Sequence, residues 1–428
     1  MLLGGSLGDH FGRRRVFVVG VVWFALASLL CGLAPDIGTL IAARALQGVG
    51  GALLTPGSLA LISASFHGPD RAAAIGAWSG LGGVAGAIGP FLGGWLVEWN
   101  WRTVFLINLP LAALIVIIAL RHVPESRDTE SPPGLDIAGT VVGAVGLGAL
   151  TYGLTGLGER GPDPLLLAAA GLGVLALVAF VLVERRSAHP LVPPTLFANT
   201  TFSAANAATL LVYGALGVVF VLLVLQLQVV AGFTPLAAGT ALLPVTVIML
   251  VFSARAGALA GRIGPRLPMT LGPLVSAAGL LLLLRVDETA SWLVDVLPGV
   301  TVFGAGLTLT VAPLTSTVLD AAPDRFAGAA SGVNNAVARA AGLLAVAVVP
   351  GLAGISGVVY TDPVAFSAGF RTAMMISAGL LVAAAVVAFA LLRRPRRECA
   401  PDRLRIEECA HCGVTGPQIY PRIRTAER

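Results

Sequence analysis

Gly5-Ser6-Leu7-Gly8-Asp9-His10-Phe11-Gly12-Arg13-Arg14 and Gly257-Ala258-Leu259-Ala260-Gly261-Arg262-Ile263-Gly264-Pro265-Arg266 are two versions of one pattern, spaced glycines closed by arginines. Pro69-Asp70-Arg71 and Pro323-Asp324-Arg325 recur at almost the same offset, and a run rich in Gly and Ala follows each. All four segments are charged breaks between long apolar runs. Two matches at a shared offset make the chain a duplication of one unit. Its architecture must therefore be read in halves.

The runs between these breaks are too apolar for water. Of 428 residues, 56% are hydrophobic and 11% charged, and the mean hydropathy is +0.89. A soluble domain has about a quarter of its residues charged, so a soluble enzyme, a nucleic-acid-binding domain and a disordered chain are excluded. A helix needs about 20 apolar residues to cross the hydrocarbon core. Twelve runs qualify: 16–34, 38–64, 72–97, 103–121, 136–157, 164–183, 202–228, 236–260, 267–285, 292–319, 327–354 and 369–392, behind a short apolar stub. They lack the alternation of barrel strands, and helices satisfy their own backbone in lipid. The fold class is an all-α polytopic membrane protein, and parallel repeats suit a transporter.

Charge gives the orientation. Every basic residue is Arg, and the net charge is +5. Arg13, Arg14, Arg15, Arg185, Arg186 and Arg262 fall in one set of loops, against Arg102, Arg160, Arg285 and Arg371 in the other. The positive-inside bias puts the first set, and both termini, in the cytoplasm of a multi-pass protein of the cell (inner) membrane. Gly264 is followed by four spans and preceded by two; Gly12 is followed by four and preceded only by the stub. The first half is thus expected to lack its first helix and most of its second, through a start codon set too late or a degraded gene. The expected organisation is an incomplete N-terminal bundle (1–121), an inserted helix pair with its linkers (122–201), a C-terminal bundle (202–392) and a disordered cytoplasmic tail (393–428). Cys399, Cys409, His411 and Cys412 in that tail fit no zinc-finger spacing, so no metal is expected.

Four motifs stand out. The first is Gly5-x-x-x-Asp9-x-x-Gly12-Arg13-Arg14, a tight turn whose Asp9 can accept hydrogen bonds from a helix N-terminus or an Arg across the halves. The second is Arg44-Ala45-Leu46-Gln47 in span 38–64; an ionisable group within a span is costly and points to a functional site. The third is Gly86-x-x-Gly89-Pro90-x-x-Gly93-Gly94, small residues that let helices approach and a proline that can bend one. The fourth is Trp101-Arg102-Thr103-Val104-Phe105-Leu106-Ile107-Asn108-Leu109-Pro110 at the outer start of a span. In the second half, Asn334, Asn335 and Arg339 lie in an apolar run, and Arg339 is expected to face a cavity.

With these residues the chain resembles the major facilitator superfamily, and within it the fourteen-helix drug:proton antiporters. The resemblance implies two six-helix bundles with a two-helix insert. It also implies proton-driven export of small amphiphilic compounds such as drugs and antibiotics. Gly5, Asp9, Gly12, Arg13 and Arg14 become a conformational latch, and Arg44, Gln47, Asn334, Asn335 and Arg339 cavity or coupling residues. Gly86, Gly89, Pro90, Gly93 and Gly94 become the antiporter-type packing helix. The family places its coupling carboxylate in the first helix, and no Asp or Glu lies deep in these spans. Asp136 is expected to cap a helix. Enzyme motifs are absent, because each Gly-x-Gly sits in an apolar helix and not after a strand. The partners expected are a lipophilic substrate, protons and the bilayer around a monomer, with no cofactor and no nucleic acid. The alternatives are an exporter of one endogenous metabolite and a transport-inactive scaffold or remnant.

Overall fold

The computed structural model describes residues 7–8, 11–65, 89, 92–126, 136–161, 163–187, 194–322 and 327–392. All lie within one compact unit, Met1–Arg393. Among the described residues there is no strand. Eleven described helices are long and apolar enough to cross a bilayer, one for each expected run except 72–97. Of that run only Gly89 and 92–97 are described. The tail 393–428, with its cysteines, lies outside the described residues.

In chain order the helices are α1 (Arg13–Leu33), α2 (Ile37–Ser65), α3 (Thr103–His122), α4 (Ile137–Arg160), α5 (Pro164–Arg186), α6 (Thr200–Val230), α7 (Pro235–Ile263), α8 (Arg266–Arg285), α9 (Trp292–Asp320), α10 (Ala327–Leu352) and α11 (Pro363–Leu391). Their starts follow from short polar side chains that accept the free backbone N–H groups of a first turn. Asp136 accepts from Gly139, Asp163 from Leu165 and Leu166, Asn199 from Thr201 and Phe202, and Thr234 from Ala237. Asp36 precedes α2 in the same way. The Thr39 amide and then its hydroxyl donate to the carboxylate and hold it below its usual range. The last helix begins at Pro363, not at 369. Asp362 accepts from the amides of Val364 and Ala365, and Pro363 occupies the first turn, where no N–H is needed.

Each half is held by glycine crossings. Helix α1 packs along α2 and α3. A Cβ on Gly50 would stand 2.7 Å from the backbone nitrogen of Phe24, so only glycine fits there. In the second half α6 packs on α10 and α11, and α8 on α9 and α11. Gly217 meets Gly342, and Gly306 meets Gly272 and Ser276. The fully buried Phe303, Phe366 and Phe370 fill the core of this half. Large apolar side chains such as Leu175 and Leu165 stay exposed, at 69% and 68%, where lipid suits them. Helices α4 and α5 pair with each other, and α4 also rests on α10.

The contact between α4 and α10 is narrow. A Cβ on Gly351 would lie 3.0 Å from the Cα of Gly158. Gly351→Leu is therefore expected to push α4 away and to destabilise the fold by about 1–3 kcal/mol, the usual cost of overpacking. The melting temperature of the detergent-purified protein checks this. Gly351→Ala should fall between the two, and an unchanged value for Gly351→Leu would show that the crossing carries no load.

Candidate functional site

At the arginine-rich end, the backbone turns sharply into α1. Gly12 has φ 105°, a left-handed conformation that glycine adopts without strain. Helix α1 has no capping side chain of its own at that position. The cap comes from 111 residues away: the Arg14 amide donates to Glu125 Oε1 at 3.0 Å. The Arg14 guanidinium donates through Nη1 to the Val123 carbonyl at 3.0 Å. Its Nε stands 3.7 Å from Glu125 Oε2, as does the Nε of Arg15. The Arg13 amide donates to the Ser126 carbonyl at 2.9 Å. Thus Gly12, Arg13 and Arg14 are tied to the end of α3 within the first half. Gly5 and Asp9 lie outside the described residues.

The second cluster crosses three helices of the first half. Arg44 Nη1 donates to Gln47 Oε1 at 2.6 Å, and the guanidinium lies 5.8 Å from the centre of the Phe105 ring. Gln47 Nε2 donates to Ser28 Oγ at 2.5 Å, and Asn108 Nδ2 reaches the same oxygen at 3.3 Å. Gln47 and Ser28 are buried, whereas Arg44 is exposed on the surface of α2. Arg102, from the same block as Phe105 and Asn108, donates to the Ala34 carbonyl at 2.9 Å and so holds the end of α1 against α3.

The three residues grouped on α10 separate. Asn334 is buried and donates to Thr209 Oγ1 at 2.7 Å, with Asn206 Oδ1 at 3.4 Å, which ties α10 to α6. Asn335 and Arg339, one turn apart, lie on the exposed side of α10. Asn335 donates back to the Ser331 carbonyl at 3.0 Å. Arg339 stands near Tyr213 of α6.

Of the glycine motif, Gly86 and Pro90 lie outside the described residues. Gly89 and Gly93 have open space where a Cβ would be, but a Cβ on Gly94 would lie 2.9 Å from the Cα of Leu236. The Leu236 amide also donates to Glu98 Oε1 at 3.2 Å. The helical stretch 92–99 therefore meets the start of α7 in the other half. Beside this junction lies a cavity of about 650 Å³, lined by Phe233, Ala237, Thr240, Leu243, Pro244, Val247 and Trp292.

Sequence reasoning missed three participants. Glu125 follows Pro124 just past a span end, in the linker that leads to the inserted helix pair. Ser28 is one small polar residue in an apolar run. Glu184 lies just past the expected run 164–183, yet it sits in the last turn of α5, 5% exposed, beside Gly139 at the start of α4. Among the described residues no group of His, Cys, Asp and Glu could hold a metal ion.

These features can be set beside known proteins. The family profile described as Major Facilitator Superfamily matches residues 1–347. The multidrug resistance protein Stp of Mycobacterium tuberculosis is 36% identical over 346 residues, covering 78% of this chain and 63% of Stp. The puromycin resistance protein of Streptomyces alboniger is 36% identical over 406 residues, covering 92% of this chain and 80% of the relative. The tetracenomycin C resistance and export protein of Streptomyces glaucescens is 32% identical over 357 residues, covering 81% and 65%. The chain thus spans less than two thirds of the length of Stp and of the tetracenomycin C protein. Among solved structures, a POT family transporter in complex with 5-aminolevulinic acid superposes with a TM-score of 0.65 at 14% identity, covering 91% of this chain and 84% of that one. The nucleoside transporter NupG gives 0.57 at 13%, covering 92% and 87%. By the profile over most of its length, and by helices that superpose on these transporters, the chain belongs to the Major Facilitator Superfamily.

Proposed function

We propose that the protein exports small amphiphilic compounds across the cytoplasmic membrane in exchange for protons. The observation that carries this reading is Arg44, a guanidinium on an apolar helix, held on one side by Gln47 and Phe105 and exposed on the other. Lipid does not tolerate such a group, so it belongs against a polar path. The drug-resistance relatives support export as the direction. The apolar recess of about 650 Å³ with Phe233 and Trp292 in its wall is of a size that suits a drug-sized molecule. In this reading the arginine-rich ends face the cytoplasm and Asp9 closes a latch there. Arg339 is a second cavity cation, and proton exchange supplies the energy without a cofactor.

The test uses proteoliposomes with an imposed pH gradient and two probes, ethidium and puromycin. The gradient is expected to drive uptake into vesicles that are acidic inside, and a protonophore should abolish it. Uptake of neither probe with the gradient present would reject broad export. Uptake of puromycin alone would favour an exporter dedicated to one compound, a reading that the single-antibiotic names of several relatives support.

A further inference from the structure

We infer that Ser28 and Asn108 are positioning residues that fix the direction in which Arg44 presents its guanidinium, so that the Trp101–Pro110 block serves the charged group on a different helix. The inference rests on the coupling role proposed for Arg44 and extends it to residues outside α2.

Gln47 can offer Arg44 an oxygen only if its amide is turned that way round. A carboxamide has nearly the same shape either way, so its partners decide. The partner of Nε2 is Ser28 Oγ, fully buried on α1 at 2.5 Å. A hydroxyl oxygen can accept two hydrogen bonds, and Asn108 Nδ2 from α3 fills the second place at 3.3 Å. With both approaches occupied by N–H donors, Ser28 stays an acceptor toward Gln47. Arg44 has only N–H groups to offer, so Gln47 faces it with Oε1, at 2.6 Å, and the acceptor on Ser28 holds the other end of the amide in that sense. The cation sets the polarity of the chain, and Ser28 and Asn108, as acceptor and second donor on two other helices, hold Gln47 and so the guanidinium in place.

Phe105, from the same block, lies against the guanidinium at 5.8 Å, an attractive geometry for a cation over a ring. Arg102 pins the end of α1 to α3 through Ala34 and so keeps Ser28 in register with Asn108. Three helices therefore contribute to one cation, and its buried supports Gln47 and Ser28 are tied to one another.

The experiment is a pair of double-mutant cycles on the full chain. Asn108→Ala and Ser28→Ala are each made alone and with Arg44→Ala. Two quantities are read: gradient-driven ethidium uptake in proteoliposomes at several pH values, and the melting temperature in detergent. Each single variant is expected to lower gradient-driven uptake roughly tenfold, since misplacing a functional group is costly. With Arg44→Ala, where uptake is already near background, the cycle is read in the melting temperature, whose losses should be smaller than in the parent. Losses of melting temperature that add fully in both cycles would overturn the inference. If the parent shows no gradient-driven uptake, the coupled-export reading fails, and the melting cycles still decide the positioning role by themselves.

Discussion

Arg44→Ala is expected to remove gradient-driven transport while making the protein easier to insert. The two effects pull apart because they arise from different terms. An Arg near the middle of a span costs about 2.5–3.5 kcal/mol on insertion scales, and less toward the ends. Arg44 lies seven residues beyond Ile37, about 10 Å into α2 at 1.5 Å per residue, so a large part of that cost applies. Its loss takes the donor from the oxygen of the buried Gln47, at about 1–3 kcal/mol, which offsets part of the gain. On the functional side the group is a charged donor held on one face by Gln47 and Phe105. Removing a preorganised donor of this kind commonly costs on the order of a hundredfold in rate. The expected result is thus normal or raised membrane yield with uptake near background at every imposed pH gradient. Arg44→Lys keeps a cation but loses the planar fork that meets Gln47, and should retain only a part of the activity. Coupled uptake at the parent rate in Arg44→Ala would remove Arg44 from the mechanism and, with it, the reason to assign a role to its support.

The spans were legible because their signals are local. Length, hydropathy and flanking arginines fix a membrane helix without knowledge of its neighbours. The late start assigned to the last helix shows the limit. Thr361-Asp362-Pro363 looks like a loop until Asp362 is seen to cap the turn it precedes. The pairing of Arg44 with Gln47 was also open to reading, since residues three apart share a helix face. Its continuation to Ser28 and Asn108 was not, because nothing in the sequence of α1 or α3 gives the depth at which they cross α2. The arrangement of the group on α10 was hidden by the same geometry. Successive helical residues point about 100° apart, so Asn334 and Asn335 could not both share a face with Arg339. The structure turns Asn334 to α6 and leaves Asn335 beside Arg339. Glu125 was out of reach for a different reason. A helix cap normally sits within three residues of the helix, and this one is 111 residues away.

The same remote cap gives the other large effect. Gly12→Ala carries two separate penalties. At φ 105° an L-residue is strained, at roughly 1–2 kcal/mol. The added methyl would also stand 2.7 Å from Glu125 Oε1, the oxygen that accepts the Arg14 amide, so the cap must shift. Loss of a cap costs about 1 kcal/mol. Together these give a loss of about 2–3 kcal/mol and a marked drop in melting temperature. Glu125→Gln separates the parts. It keeps an oxygen for the Arg14 amide but removes the charge facing Arg14 and Arg15. Both ion pairs are partly open to solvent and long, at 3.7 Å, so the charge contributes little to stability. Glu125→Gln should melt close to the parent, and Gly12→Ala well below it. Transport should follow a different order. If this joint must hold the arginine turn against α3 while the halves move, both variants slow uptake, Gly12→Ala by about tenfold or more, as about 1.4 kcal/mol per decade implies. Uptake at the parent rate in both variants, measured per folded molecule, would make the joint a static cap and leave any switching at this end to Asp9.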